Sequence, residues 1–101
     1  MTQRLTLHVT RRAAGEIRRA AAWWEENRPL ASGAVREELE SAFALLQAQP
    51  VIGALAASGR APGVRRLHLS RIHYYFYYRV VNQRIEVLTF WHTRRGSDPG
   101  L

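Results

Sequence analysis

Arg65, Arg66, Arg79, His92, Arg94 and Arg95 stand in the C-terminal half of the chain. They surround the run His73-Tyr74-Tyr75-Phe76-Tyr77-Tyr78, which holds all four tyrosines of the 101-residue sequence. These residue types suit phosphate and nucleic acid. A guanidinium fork meets phosphate oxygens bidentately, and tyrosine or tryptophan rings stack on bases. His92 adds a group that titrates near neutral pH and can serve as a general base. Such a set would suffice to cleave a phosphodiester through the RNA 2′-hydroxyl, with arginine stabilising the charged transition state. Each member also has a structural role open to it. Tyrosines on a central strand pack with a polar tip outward, and a histidine at a strand end is commonly a hydrogen-bonded structural residue. Arg94-Arg95 reads equally as a solvated strand terminus, and Trp23-Trp24 as helix core plus a partly exposed neighbour.

Other chemistries lack their residues. There is no cysteine, so neither a disulfide nor a thiolate metal site can form. His8, His68, His73 and His92 are far apart and none pairs at helical i, i+4 spacing, so no metal motif is read. Gly59-Arg60-Ala61-Pro62-Gly63 is an ordinary loop rather than a phosphate cradle, and no dinucleotide fingerprint is present. The only aspartate is Asp98, in the tail, which leaves Ser/His/Asp catalysis unsupported. No cofactor is expected.

The charge is lopsided. All fifteen basic residues are arginine. Residues 1–59 hold seven arginines and six glutamates, whereas residues 60–95 hold eight arginines and one acid, Glu86. A one-sided positive field attracts nucleic acid, acidic proteins or anionic membrane surfaces. With 47% hydrophobic and 23% charged residues the chain reads as globular rather than disordered, and its length suits one domain over residues 1–101. Met1 to Val9 is too short and polar for a signal peptide, and no apolar run approaches a membrane span. A cytoplasmic protein is expected.

The elements that must position these residues follow from periodicity. Arg4 to Val9 alternates as a half-buried strand. Thr10 is placed to cap a helix from Arg11 to about Glu26, with Ala13, Ile17, Ala20, Ala21 and Trp24 on its apolar side and Arg12, Glu16 and Arg19 on the other. Pro29 suits the first turn of a second helix, whose stripe is Ala31, Val35, Leu39, Ala42, Phe43 and Leu46 and which Pro50 closes. Residues 50–63 read as a loop, with a helical turn admitted around Ile52 to Ala57. Strands follow over 64–69, 72–81 and 84–92, joined by Ser70-Arg71 and by Asn82-Gln83, a tight hairpin turn. In the last strand Ile85 and Val87 share one face but Leu88, Phe90 and His92 the other, which implies a sheet covered on both sides or a β-bulge. The expected fold is α+β, β-α-α-β-β-β, with a helical hairpin on a mainly antiparallel four-stranded sheet.

Trp23-Trp24 near the end of the first helix, the stripe from Pro29 to Pro50, Gly63-Val64-Arg65-Arg66-Leu67, the hairpin Tyr77-Tyr78-Arg79-Val80 with Ile85-Glu86-Val87-Leu88, and the ending His92-Thr93-Arg94-Arg95 occur in an order that resembles the RelE/ParE superfamily of bacterial type II toxin–antitoxin toxins. The resemblance spans nearly the whole chain and is closest to the ParE branch. It implies one of two activities. RelE-type members cleave mRNA, usually on the ribosome; here Arg65, Arg79, His92 and Arg94 would be the working set. ParE-type members inhibit DNA gyrase without nuclease chemistry. The chain has no lysine and no tyrosine after Tyr78, whereas RelE sets often use lysine and a late Tyr or His, so the ParE reading is favoured. Either branch implies a cognate acidic, ParD-like antitoxin, in a complex that can be 2:2. Arg65, Arg66, Arg79, His92, Arg94, Arg95 and Trp23 are then the residues for antitoxin or target. A member that has lost toxicity and acts only in an antitoxin/DNA-binding complex is the third reading.

Overall fold

Thr10 joins three parts of the fold. Its hydroxyl accepts from the Ala13 amide at 3.2 Å, capping the first helix, and donates to the Leu88 carbonyl at 3.2 Å. Its own amide donates to the Val87 carbonyl. The first strand, the first helix and the last strand therefore meet at one residue. The structure is a computed structural model that describes residues 5–56, 62–96 and 99–101. Arg4 at the expected start of the first strand, Ala57 and Arg60 in the expected loop, and Asp98 lie outside the described residues.

The elements are β1 (Thr6–Val9), α1 (Arg11–Asn27), a 3-10 turn (Pro29–Ala31), α2 (Ala34–Ala48), β2 (Ala54–Leu55), β3 (Arg65–Leu69), β4 (Tyr74–Val81) and β5 (Arg84–His92). The strands form one sheet in the order β1-β5-β4-β3-β2, with β1 parallel to β5 and the other pairs antiparallel. The α+β class and the helical hairpin on a mainly antiparallel sheet stand as read from the sequence.

Three details differ. The sheet has five strands, not four. The fifth, β2, lies in the segment expected as a loop or helical turn. It is held there from outside: the Gly53 amide donates to the Tyr78 hydroxyl at 2.9 Å, and Arg65 Nη1 donates to the carbonyls of Val51 and Gly53. These bonds lay Ala54 and Leu55 along β3, opposite Arg66 and Arg65. The second helix does not begin at Pro29. Pro29 opens a separate 3-10 turn, and α2 starts only after Gly33. Finally, the link between β3 and β4 is a four-residue turn rather than two, with His73 at φ 64°. The Asn82-Gln83 hairpin has φ of 49° and 62°, the two positive values that a tight type I′ turn needs.

A β-bulge explains the broken alternation of β5. Tyr77 faces Thr89 and Tyr78 faces Val87, so Leu88 has no partner across the ladder. The extra residue lets Ile85, Val87 and Phe90 all enter the core with Phe76 and Tyr78 of β4, under Ala13 and Ala20 of α1 and Val35, Leu39, Ala42 and Leu46 of α2. Among the described residues no helix is long and apolar enough to cross a membrane.

Candidate functional site

β1 ends at Val9, opposite Val87, while β5 runs on to His92. Among the described residues no strand lies beside the outer edge of β5 from Leu88 onward, and α1 takes that place. A bare strand edge needs partners for its amides. Glu16 supplies them: its Oε1 accepts from the Thr89 hydroxyl at 2.6 Å and from the Phe90 amide at 3.1 Å. This docking leaves a cleft of about 660 Å³ between α1 and the end of β5.

Arginines dominate its walls. Arg12 and Arg19 come from α1, and Arg94 and Arg95 from the turn after β5; Glu16 is the one acid among the lining residues. The aromatic floor is built on the sheet. Tyr74 stacks on Phe90 at 4.3 Å with an interplanar angle of 7°, and the His92 ring meets Tyr74 edge-on at 5.0 Å. The Arg95 guanidinium lies 4.0 Å from the centre of the Trp91 ring, with Arg12 at 5.6 Å from the same ring. Trp23 stands at the rim, 48% exposed, edge-on to Trp24 and with Arg28 over its ring. A second hollow of about 300 Å³ adjoins the cleft and shares Trp23, Tyr74 and His92 with it; Trp24, Arg28, Ile72 and His73 complete its wall.

His92 is the hinge between the two spaces. Its Nδ1 accepts from the Arg94 amide at 3.1 Å. In the neutral ring that bond assigns the proton to Nε2, so His92 offers a donor rather than a base. Burial pushes its pKa down, and the charges of Arg94, His73 and Arg95 push the same way. Burial likewise raises the Tyr74 hydroxyl, against the nearby Arg95 charge. Among the described residues no group of three or more His, Cys, Asp or Glu gathers as a metal site would require.

A family model described as the ParE toxin of the type II toxin–antitoxin system parDE matches residues 7–96. The chain belongs to this family. A solved structure titled as the chromosomal ParDE toxin–antitoxin system from P. aeruginosa has the same fold, with a TM-score of 0.72 at 23% identity over 92% of this chain and 100% of that one. No curated relative matches significantly.

In this ParE-family chain the residues singled out from the sequence divide into two groups. Trp23, His92, Arg94 and Arg95 come together in the cleft. Arg65 does not: it is spent on the Val51 and Gly53 carbonyls at the β2 edge. Arg79 is held by Glu86 at 2.8 Å, and Arg84 binds the other oxygen of that carboxylate at 2.9 Å. The two guanidiniums hold Glu86 below the usual carboxylate range, Arg79 contributing most. Glu86 and His92 are six positions apart on β5, a span of roughly 20 Å at strand rise, so Arg79 and His92 share no site. Arg66 lies elsewhere again, 4.2 Å over the Tyr75 ring and in contact with Tyr77, beside His68.

Sequence reading missed Arg12, Glu16, Arg19 and Tyr74. Periodicity sets the first three on the side of α1 away from the core; Arg12 and Arg19 are exposed there, whereas Glu16 is largely buried against Thr89 and Phe90. Arg12, Glu16, Arg19 and Trp23 follow i, i+4, i+7, i+11 and so form one stripe. A polar stripe that ends in tryptophan was the available signal.

Proposed function

We propose that this ParE-family toxin acts as a docking protein that inhibits DNA gyrase in the cytoplasm, and that a cognate acidic antitoxin neutralises it by occupying the same cleft. The observation that carries this reading is the gathering of Arg19, Arg94 and Arg95 around Trp23. Among the described residues no glutamate pairs with any of these arginines. A cleft that pairs arginines with an exposed tryptophan suits a protein interface, since Trp and Arg are the residue types that anchor such contacts. Opposite charge on the partner would speed encounter and fix register.

The ribonuclease alternative draws less support. Of its four residues, Arg65 and Arg79 are committed to other partners, and His92 presents a donor where a base is needed.

The test is a supercoiling reaction with purified gyrase. The chain should block ATP-dependent supercoiling and leave cleaved DNA, while primer extension on ribosome-bound message shows no new ends. Undiminished supercoiling with the chain in excess would overturn the gyrase assignment, and new message ends lost in His92→Ala would establish the ribonuclease instead. Unchanged growth on expression without an antitoxin would favour a complex-only role.

A further inference from the structure

The cleft and its neighbouring hollow differ in chemistry. The hollow is small and rich in rings, walled by Trp23, Trp24, Ile72 and Tyr74 with Arg28, His73 and His92. The cleft is larger, more open and cationic, with Arg19, Arg94 and Arg95 reaching into it. They meet at Trp23, Tyr74 and His92. A ligand that suits both carries a flat ring with polar edges at one end and negative charges at the other.

From this juxtaposition we infer that the joined cavity binds a nucleoside 5′-phosphate, its base in the aromatic hollow and its phosphates among Arg19, Arg94 and Arg95. The volumes of about 300 and 660 Å³ fall in the range of small-molecule sites. The exposed Trp23 ring offers a surface on which a base stacks, and guanidinium forks take phosphate oxygens two at a time. The polar atoms at the junction fit as well. His92 Nε2–H is a donor for base or ribose, because Nδ1 is already engaged by the Arg94 amide. His73 is presented to the hollow from a turn at φ 64°, an uncommon conformation for a residue other than glycine and one that recurs at ligand sites. The turn is fixed from both sides: the His73 amide donates to the Leu69 carbonyl, and the His73 carbonyl accepts from the Thr93 amide. The source of the ligand is either a free nucleotide or the phosphorylated 5′ end of a strand. This inference goes beyond the docking reading and does not depend on it.

Tryptophan fluorescence and calorimetry on the purified full chain test it without gyrase. ATP and GTP should quench Trp23 and Trp24 and bind at least tenfold more tightly than inorganic tripolyphosphate, which has the charge without the base. Arg94→Ala should weaken ATP at least fivefold, and Trp23→Ala should weaken ATP but leave tripolyphosphate unchanged. Arg36→Ala, which removes an exposed arginine paired with Glu40 on α2, should change neither. A 5′-phosphorylated trinucleotide that outcompetes ATP would identify a strand end as the source, and the reverse order a free nucleotide; both support the site. Equal affinity for ATP and tripolyphosphate, an unchanged ATP affinity in Trp23→Ala, or no binding at millimolar ATP would each overturn it.

Discussion

Glu16 Oε1 lies 2.6 Å from the Thr89 hydroxyl, although 73 residues separate them in the chain. Thr89 is fully buried, and the same oxygen serves the Phe90 amide. One carboxylate thus stands in for the strand that β5 lacks beyond Val87. Glu16→Ala would leave both donors without a partner, and an unsatisfied buried donor costs about 1–3 kcal/mol. A loss of about 2 kcal/mol is expected in urea unfolding, a Tm drop of roughly 10 °C for a domain of this size. Glu16→Gln retains an acceptor oxygen at that position and should lose less than half as much. Equal losses in the two variants would show that the charge, not the acceptor, matters.

Tyr78 and Gly53 form the corresponding lock at the other edge of the sheet. The fully buried Tyr78 hydroxyl accepts from the Gly53 amide at 2.9 Å and donates to the Pro50 carbonyl at 3.0 Å. A Cβ at position 53 would stand 2.7 Å from that hydroxyl and 2.9 Å from the Arg66 carbonyl oxygen, so Gly53→Ala must push β2 away. Each of Gly53→Ala and Tyr78→Phe should cost about 1–3 kcal/mol. Removing the hydroxyl also relieves part of the clash, so the double variant should lose clearly less than the sum, read as a double-mutant cycle. Strict additivity would refute the lock.

These two contacts also mark where the sequence stops being legible. Periodicity located both helices, because each buries one apolar stripe, and alternation located β1 and the three long strands, although β1 is largely exposed where a half-buried strand is expected and β5 breaks its alternation at the bulge. It could not find β2, whose Ala54 and Leu55 are both exposed and which exists because Tyr78 and Arg65 hold the preceding residues. Nor could it assign a partner to β1, since parallel pairing with β5 is decided by a crossover through the whole helical hairpin. For the site, the ending His92 to Arg95 was visible as a local motif. Arg12 and Arg19 were not, because a pattern shows that a residue faces away from the core without showing what else lies on that side. Arg65 and Arg79 misled for the converse reason: their neighbours Gly53 and Glu86 become partners only in the folded sheet.

His92 gives a pH signature. Burial and the charges of Arg94, His73 and Arg95 lower its folded pKa, while in the unfolded chain it titrates near about 6.5. Between those two values the unfolded state holds more protons than the folded one, so stability rises with pH there. It falls as pH drops through about 6.5 and the loss is complete below the folded value. Urea unfolding of the wild type should therefore weaken from pH 7 toward pH 5 by more than that of His92→Gln. An NMR titration should place the His92 midpoint below 6.5, and Arg94→Ala should move it upward. A midpoint at or above 6.5 would remove the cause of the slope.

Charge reversal separates the cleft from the arginines that serve the fold. Arg94 is exposed, and among the described residues no glutamate pairs with it, so Arg94→Glu should leave Tm within a few degrees of wild type. On the proposed docking role it should weaken inhibition of gyrase at least tenfold, because it replaces a positive charge of the cleft with a negative one. Arg65→Ala should do the opposite. It removes the donor to two backbone carbonyls at the β2 edge, which lowers stability by about 1–2 kcal/mol while the cleft, and with it the proposed inhibition, persists. The comparison is informative because the two residues belong to one basic segment and look alike in sequence. If Arg65→Ala abolished inhibition in protein shown to be folded by circular dichroism, or Arg94→Glu left inhibition intact, the working surface would have to be moved from the cleft to the β2 edge.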